Sequence, residues 1–169
     1  HTQGEWAGKP FELQPWQKFI DWNIFGWRRK DDGTRRFRKD YEEIARKGGK
    51  TTRCGPKAFY LSFFDDPIER GGQGYCAATK EDQARLLFDE MVRMVEASPS
   101  LSPYCETYKR RIVFPSTQSY MQVLGSDSKS QDGFNPHFVI RDELHAWQEK
   151  HRGLKEKLET GFGARRQPL

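Results

Sequence analysis

Apolar residues recur along this chain at two periods, near 3.6 and near 2, and their alternation lays out an α/β order of elements. Phe11 to Trp27, FELQPWQKFIDWNIFGW, carries Trp16, Phe19, Ile20 and Ile24 at helical spacing with Pro15 near the first turn, which predicts a short amphipathic helix. Core packing is expected for most of its three tryptophans, Trp16, Trp22 and Trp27. Ala58 to Phe64 belongs to a second helix that Asp65-Asp66-Pro67 stops, and Gly55-Pro56 before it predicts a kink or a short first segment. GYCAA, Gly74 to Ala78, is a buried strand. The clearest helix follows, with Thr79 and Asp82 spaced as a capping box and Ala84, Leu87, Phe88, Met91, Val92 and Val95 on one face. SPSLSP, Ser98 to Pro103, ends it. Arg110 to Phe114 and Tyr120 to Leu124 alternate as two strands across a PSTQS turn, and Phe138 to Ile140 is a further apolar strand.

The 169 residues suit one domain. Charged residues are 31% and mean hydropathy is −0.93, while 14% aromatic content argues against disorder. No apolar run approaches membrane-span length and HTQGEWAGKP lacks a signal pattern, so a cytoplasmic protein with no membrane partner is expected. The chain begins with His rather than Met, which is expected of a processed or excised piece of something longer. Cys54, Cys76 and Cys105 are widely spaced and lack a CxxC, so they make neither a disulfide framework nor a zinc site. His145 and His151 are not an i,i+4 pair and have no third ligand near. The net charge of +5 fits a polyanion partner. Much of it lies in Trp27 to Lys39, WRRKDDGTRRFRK, which predicts a basic β-hairpin about Asp32-Gly33 that either meets DNA phosphates or is a solvated turn.

Candidate chemistry sits in two stretches. Tyr41 to Thr52, YEEIARKGGKTT, ends as a phosphate-binding loop ends: the backbone closes on an anion at a helix mouth, Lys50 would reach the β and γ oxygens, and Thr51 would ligate Mg²⁺. Ile44 stands where the first glycine of GxxxxGK[ST] belongs, and an ordinary helix start is the alternative. Phe37 to Ile44 would be the strand that feeds the loop. The second stretch, HFVIRDELHAW from His137 to Trp147, ends an apolar strand in Asp142-Glu143. Asp142 would hold Mg²⁺ and Glu143 would take the proton of the attacking water, unless the pair is only a helix cap with a first-turn acid.

Taken in order, LQPWQKFI, YEEIARKGGKTT, AATKEDQARLLFDEMVRMVEASPSL, DGFNPHFVIRDELHAW and TGFGARRQPL resemble the N-terminal ATPase domain of tailed-bacteriophage terminase large subunits over nearly the whole chain. The resemblance implies a P-loop NTPase three-layer α/β sandwich of the ASCE kind, with a mostly parallel central sheet, and ATP as the ligand of Gln17, Trp16, Arg46, Lys47, Gly48, Gly49, Lys50, Thr51 and Thr52. Phage loops of this kind replace the first glycine and carry an arginine before the GK pair, which makes Arg46 a cis-acting arginine finger, against a salt bridge to Glu42 or Glu43. Gln17 would meet the adenine edge, with Trp16 or Pro15 as an apolar wall. The implied function is ATP hydrolysis that drives double-stranded DNA into procapsids, with portal protein and terminase small subunit as partners and a ring homo-oligomer as the working form. Residues 1–169 would be the ATPase domain without its C-terminal part or the nuclease domain. Two features depart from the family: Arg141 before Asp142 asks for a partner such as Glu149 or an exposed strand end, and the strand that normally inserts between the two motif strands has no counterpart before Leu169. A helicase or repair translocase, and a non-catalytic DNA-binding P-loop fragment, are the rival expectations.

Overall fold

The computed structural model describes residues 2, 5, 7–45, 48–124 and 133–169. Its centre is β1 (Gln73–Ala77), with β4 (Ser119–Leu124) on one side and β5 (Pro136–Arg141) on the other, both parallel to it. Beyond β4 come β3 (Arg111–Phe114) and a two-residue β2 (Glu106–Thr107), each antiparallel to its neighbour, giving the order β2-β3-β4-β1-β5. The parallel centre and antiparallel hairpin agree with the expected α/β sheet.

The period-2 alternation of these strands makes the three layers. Cys76, Met121, Val123 and Phe138 point to one face, where they pack against Ala58, Phe59 and Leu61 of α2 (Lys50–Phe63) and Leu87, Phe88 and Met91 of α3 (Glu81–Ala97). Tyr75, Ala77, Leu124 and Val139 point the other way, onto Leu154 and Leu158 of α4 (Arg152–Gly161). That last helix was readable only from the i,i+4 leucine pair. Both faces of the parallel strands are therefore covered, as parallel strands require.

Several expectations change. The Thr79–Asp82 box does not form: α3 begins one residue later than that box needs, at a Lys80 cap with no side-chain hydrogen bond, and its start rests on Glu81 and Asp82 facing the helix dipole. α2 is one continuous helix through Pro56, with no short first segment. Gly55 has no Cβ to clash with the proline ring, and the same absence lets α2 approach α3, since a Cβ there would lie 2.6 Å from Met94 Sδ. Phe37 to Ile44 joins no strand. The outer edge of β5 is met instead by Leu169, whose amide donates to the His137 carbonyl and whose carbonyl accepts from the Val139 amide, both at 2.9 Å, in the pattern of a parallel pair.

The basic hairpin is reduced to one bridge, Arg28 to Arg35, around a turn in which Asp32 accepts from the Thr34 amide and hydroxyl. Two of its arginines face inward rather than a polyanion. Arg35 is fully buried on Asp65 at the end of α2, and Arg28 reaches the same carboxylate at 3.3 Å and Tyr60 Oη at 3.2 Å. Gln167 completes this cluster, accepting from the Arg35 amide at 2.9 Å and donating to the Pro67 carbonyl at 2.8 Å.

Candidate nucleotide site

Gly49 caps α2 with φ +76°, a left-handed conformation that costs a residue with a Cβ about 1–2 kcal/mol. Because the helix starts immediately after it, Lys50, Thr51 and Thr52 occupy the first turn, where their amides have no carbonyl of the helix to bond and no side chain caps them. Lys50 and Thr51 are exposed and Thr52 half-buried, so the side chains and the positive end of the dipole face outward together. Just before them the Gly48 amide donates to the Ala45 carbonyl at 3.1 Å. Arg46 and Lys47 lie outside the described residues.

β5 leads into the second motif. It packs against α2, and its last ladder bond runs from the Asp142 amide to the Ala77 carbonyl at 3.1 Å. Asp142 is half-buried, and its carboxylate accepts from the Glu143 amide at 2.8 Å. Glu143 is exposed with φ +50°, a conformation a non-glycine residue seldom adopts, and Trp147 Nε1 pins the turn by donating to the Asp142 carbonyl at 3.1 Å. Burial pushes the Cys54 thiol, in the first turns of α2, up to about 12, and the charges of Lys57, Glu42, Asp142 and Arg53 all act on it. β5 ends at Arg141, so Asp142 and Glu143 directly follow the strand that packs against α2. Arg141 pairs with Glu159 of α4 at 3.1 Å, whereas Glu149, the partner considered from sequence, holds Arg152.

The N-terminal helix turns the aromatic part of its apolar pattern outward and keeps Ile20 and Ile24 half-buried. α1 (Pro15–Asp21), followed by a π turn from Trp22 to Gly26, leaves Trp16, Phe19, Trp22 and Trp27 exposed, Trp22 by 77%, and buries Gln17. The core assignment of the three tryptophans is therefore wrong. The polar residues of the inward face, Gln17 and Asp21, stand there because Asp21 meets the cations of α2. Gln17 Nε2 lies 3.8 Å from where a Cβ on Gly49 would stand, and Gln17 Oε1 accepts from the Gln14 amide at 2.8 Å, closing a capping box. Asp21 is 2.6 Å from Arg53 and 3.3 Å from Lys57 on α2.

Arg53 and Lys57 are the residues that sequence reasoning passed over. Arg53 also donates to Glu42 and lies 5.5 Å over the Trp16 ring, and Lys57 binds Asp40 at 2.5 Å and Glu42 besides. Both Glu42 oxygens are thereby engaged, which bears on its suitability as a partner for Arg46. The available signal was the i,i+4 spacing of two cations on a helix facing DYE in the loop approach. These ion pairs, in place of a ladder, hold residues 40–42 against α2.

A glycine-headed helix packed against a parallel strand that ends in Asp-Glu, within a three-layer sandwich, is the architecture of a P-loop ATPase domain. The chain belongs to the family described as terminase large subunit, ATPase domain, whose profile matches residues 15–169. Among solved structures it is similar to the large terminase of bacteriophage HK97, with a TM-score of 0.77 and 22% identity over 95% of this chain and 32% of that one. The large terminase ATPase domain of Thermus phage P74-26 gives a TM-score of 0.60 and 20% identity over 90% of this chain and 66% of that one. The chain spans about a third of the HK97 protein. No curated protein sequence matches it. No helix among the described residues is long and apolar enough to cross a membrane.

Proposed function

We propose that residues 1–169 form an ATP-binding and ATP-hydrolysing motor domain that drives double-stranded DNA into phage procapsids, working in the host cytoplasm at the portal. The observation that carries this is that the strand leading into Asp142 packs against the helix that Gly49 heads. The amides of α2's first turn and Lys50 bind the triphosphate, with Gly48, Gly49 and Thr52 shaping the loop and Lys47 beside it. The Thr51 hydroxyl and the Asp142 carboxylate are hard oxygen donors that suit Mg²⁺. A Mg²⁺ ion held by them would supply Lewis-acid neutralisation of phosphate charge. Glu143 accepts a proton as the water oxygen bonds to the γ phosphorus and the bond to the β–γ bridging oxygen breaks, and Arg46 meets the charge that develops on the γ oxygens. Gln17 and Trp16 receive the adenine. A portal protein, the small subunit and further copies of this chain in a ring are the partners this role requires.

A second reading is favoured by the want of strand structure in Phe37 to Ile44: a nucleotide site that binds without turnover. Mg-ATP affinity and steady-state phosphate release, with and without duplex DNA, separate the two. The motor reading expects turnover that Lys50→Ala abolishes together with binding, and that Glu143→Gln lowers by about 10²-fold or more with binding retained. Unchanged turnover in Glu143→Gln removes that residue from the chemistry. Absence of ATP binding by the unmodified chain removes the motor reading.

A further inference from the structure

α1 is seven residues long, too short to hold a helical shape by itself, and its aromatic side faces outward. Its position has to come from ties on its polar side, and these converge on one residue of α2. Arg53 stands one turn after Lys50 and is 2% exposed. Its guanidinium donates to Asp21, the last residue of α1, at 2.6 Å, donates to Glu42 in the loop approach, and lies 5.5 Å over the ring of Trp16 at the start of α1. A single planar fork therefore grips both ends of α1 and the segment that leads into the loop. Only an arginine can bind two carboxylates edge-on and an aromatic face at the same time.

We propose that Arg53 is a positioning residue for base recognition, holding Trp16 and Gln17 in register with the phosphate loop so that the site reads which base a triphosphate carries. The inference rests on the nucleotide-site reading above. Arg53 shares the first turns of α2 with Gly49, to whose carbonyl its amide makes the ordinary helical bond at 2.9 Å, and Gln17 Nε2 lies 3.8 Å from where a Cβ on Gly49 would stand. With Gln17 Oε1 held by the Gln14 amide, the orientation of its amide is fixed before any ligand arrives, leaving Nε2 as the donor for a ring nitrogen of the base. Lys57 cannot replace this tie. It lies a further turn along α2 and reaches Asp21 only at 3.3 Å, with its shorter contacts to Asp40 and Glu42.

The test compares Mg-ATP, Mg-GTP and Mg-tripolyphosphate binding by titration calorimetry on this chain, its Arg53→Met variant and its Asp21→Asn variant, with melting temperature recorded beside each. Tripolyphosphate keeps the phosphate contacts and lacks a base. Arg53→Met is expected to weaken ATP by about tenfold, because binding must then order a loosened α1, and to leave tripolyphosphate within about twofold. The preference for ATP over GTP falls with it. Asp21→Asn frees only the far end of α1 and keeps Arg53 on Glu42, so it shows the same pattern with a smaller loss, and it decides the matter if Arg53→Met does not fold. Equal weakening of ATP and tripolyphosphate, or a base preference unchanged in the folded variants, overturns the assignment while leaving the nucleotide site standing. Failure of the unmodified chain to bind either ATP or tripolyphosphate overturns the nucleotide site itself, and this role with it.

Discussion

Arg35 and Asp65 meet where neither is open to solvent, the guanidinium Nε lying 2.9 and 3.0 Å from the two carboxylate oxygens. Burial pushes the Asp65 carboxyl up, and the charges and hydrogen bonds of Arg35 and Arg28 pull it back. The pair fastens the Arg28–Arg35 turn to the end of α2, and Gln167 is bound across it. Asp65→Asn leaves a buried arginine without its counter-charge, so a loss of about 3–5 kcal/mol is expected in urea unfolding. A loss below about 1 kcal/mol would mean that water reaches the site.

His137, on β5, is buried 3.7 Å from Asp65, and its Nδ1 has no hydrogen-bond partner among the described residues. Burial lowers its pKa to about 4, Glu69 works against this, and the charges of Arg35 and Arg165 add to it. An unfolded histidine takes up its proton near 6.5. Between pH 6.5 and 4 the unfolded chain therefore holds more protons than the folded one, and stability falls as pH falls through that window. Urea midpoints at pH 7 and pH 5 should drop more in the natural chain than in His137→Gln. Parallel drops would place the proton elsewhere.

Gly49→Ala puts a Cβ into a left-handed cap. The nearest side-chain atom would be Gln17 Nε2 at 3.8 Å, so the penalty is backbone strain and not collision. Unfolding stability is expected to fall by about 1–2 kcal/mol, and triphosphate binding to weaken because the amides at the head of α2 lose their alignment. A variant as stable as the parent would show that the cap relaxes to a right-handed form.

The thiols should be inert in the native protein. Burial raises Cys54 to about 12, Cys105 to about 11 and Cys76 further still. Since the thiolate is the reactive form, labelling by a disulfide reagent at pH 8 is expected to run slowly for all three and to become fast on adding denaturant. One rapidly titrating thiol in the folded chain would point to local opening around it.

How much of this was legible beforehand depended on whether a residue's role was set by its neighbours in sequence. The faces of α3 and of β1, β4 and β5 were legible because apolar periodicity there coincides with burial, as at Ala84, Leu87, Phe88 and Met91. That Gly49 heads a helix and that Asp142-Glu143 follow a strand was legible because both are set by local backbone pattern. α1 was misread for the converse reason: the pattern of Trp16, Phe19 and Trp22 names an apolar face, but Asp21 has partners, Arg53 and Lys57, more than thirty residues away that no local pattern contains. Arg35 and Arg28 looked like surface charge for the same reason, since Asp65 is thirty residues off. Phe37 to Ile44 reads as a strand by context with the loop, yet a strand needs an adjacent edge, and β5 offers its outer edge to Leu169.

The two halves of the candidate site are therefore mounted on different supports. Asp142 is fixed to the sheet by a ladder bond to Ala77, while Gly49 and Lys50 ride on α2, which touches the sheet through Ala58, Phe59 and Leu61 and is joined to the preceding segment by side-chain charge. Salt or acid that weakens those charges is therefore expected to loosen residues 40–42 and α1 from the helix head through Arg53 and Lys57, while Asp142 keeps its ladder bond to Ala77.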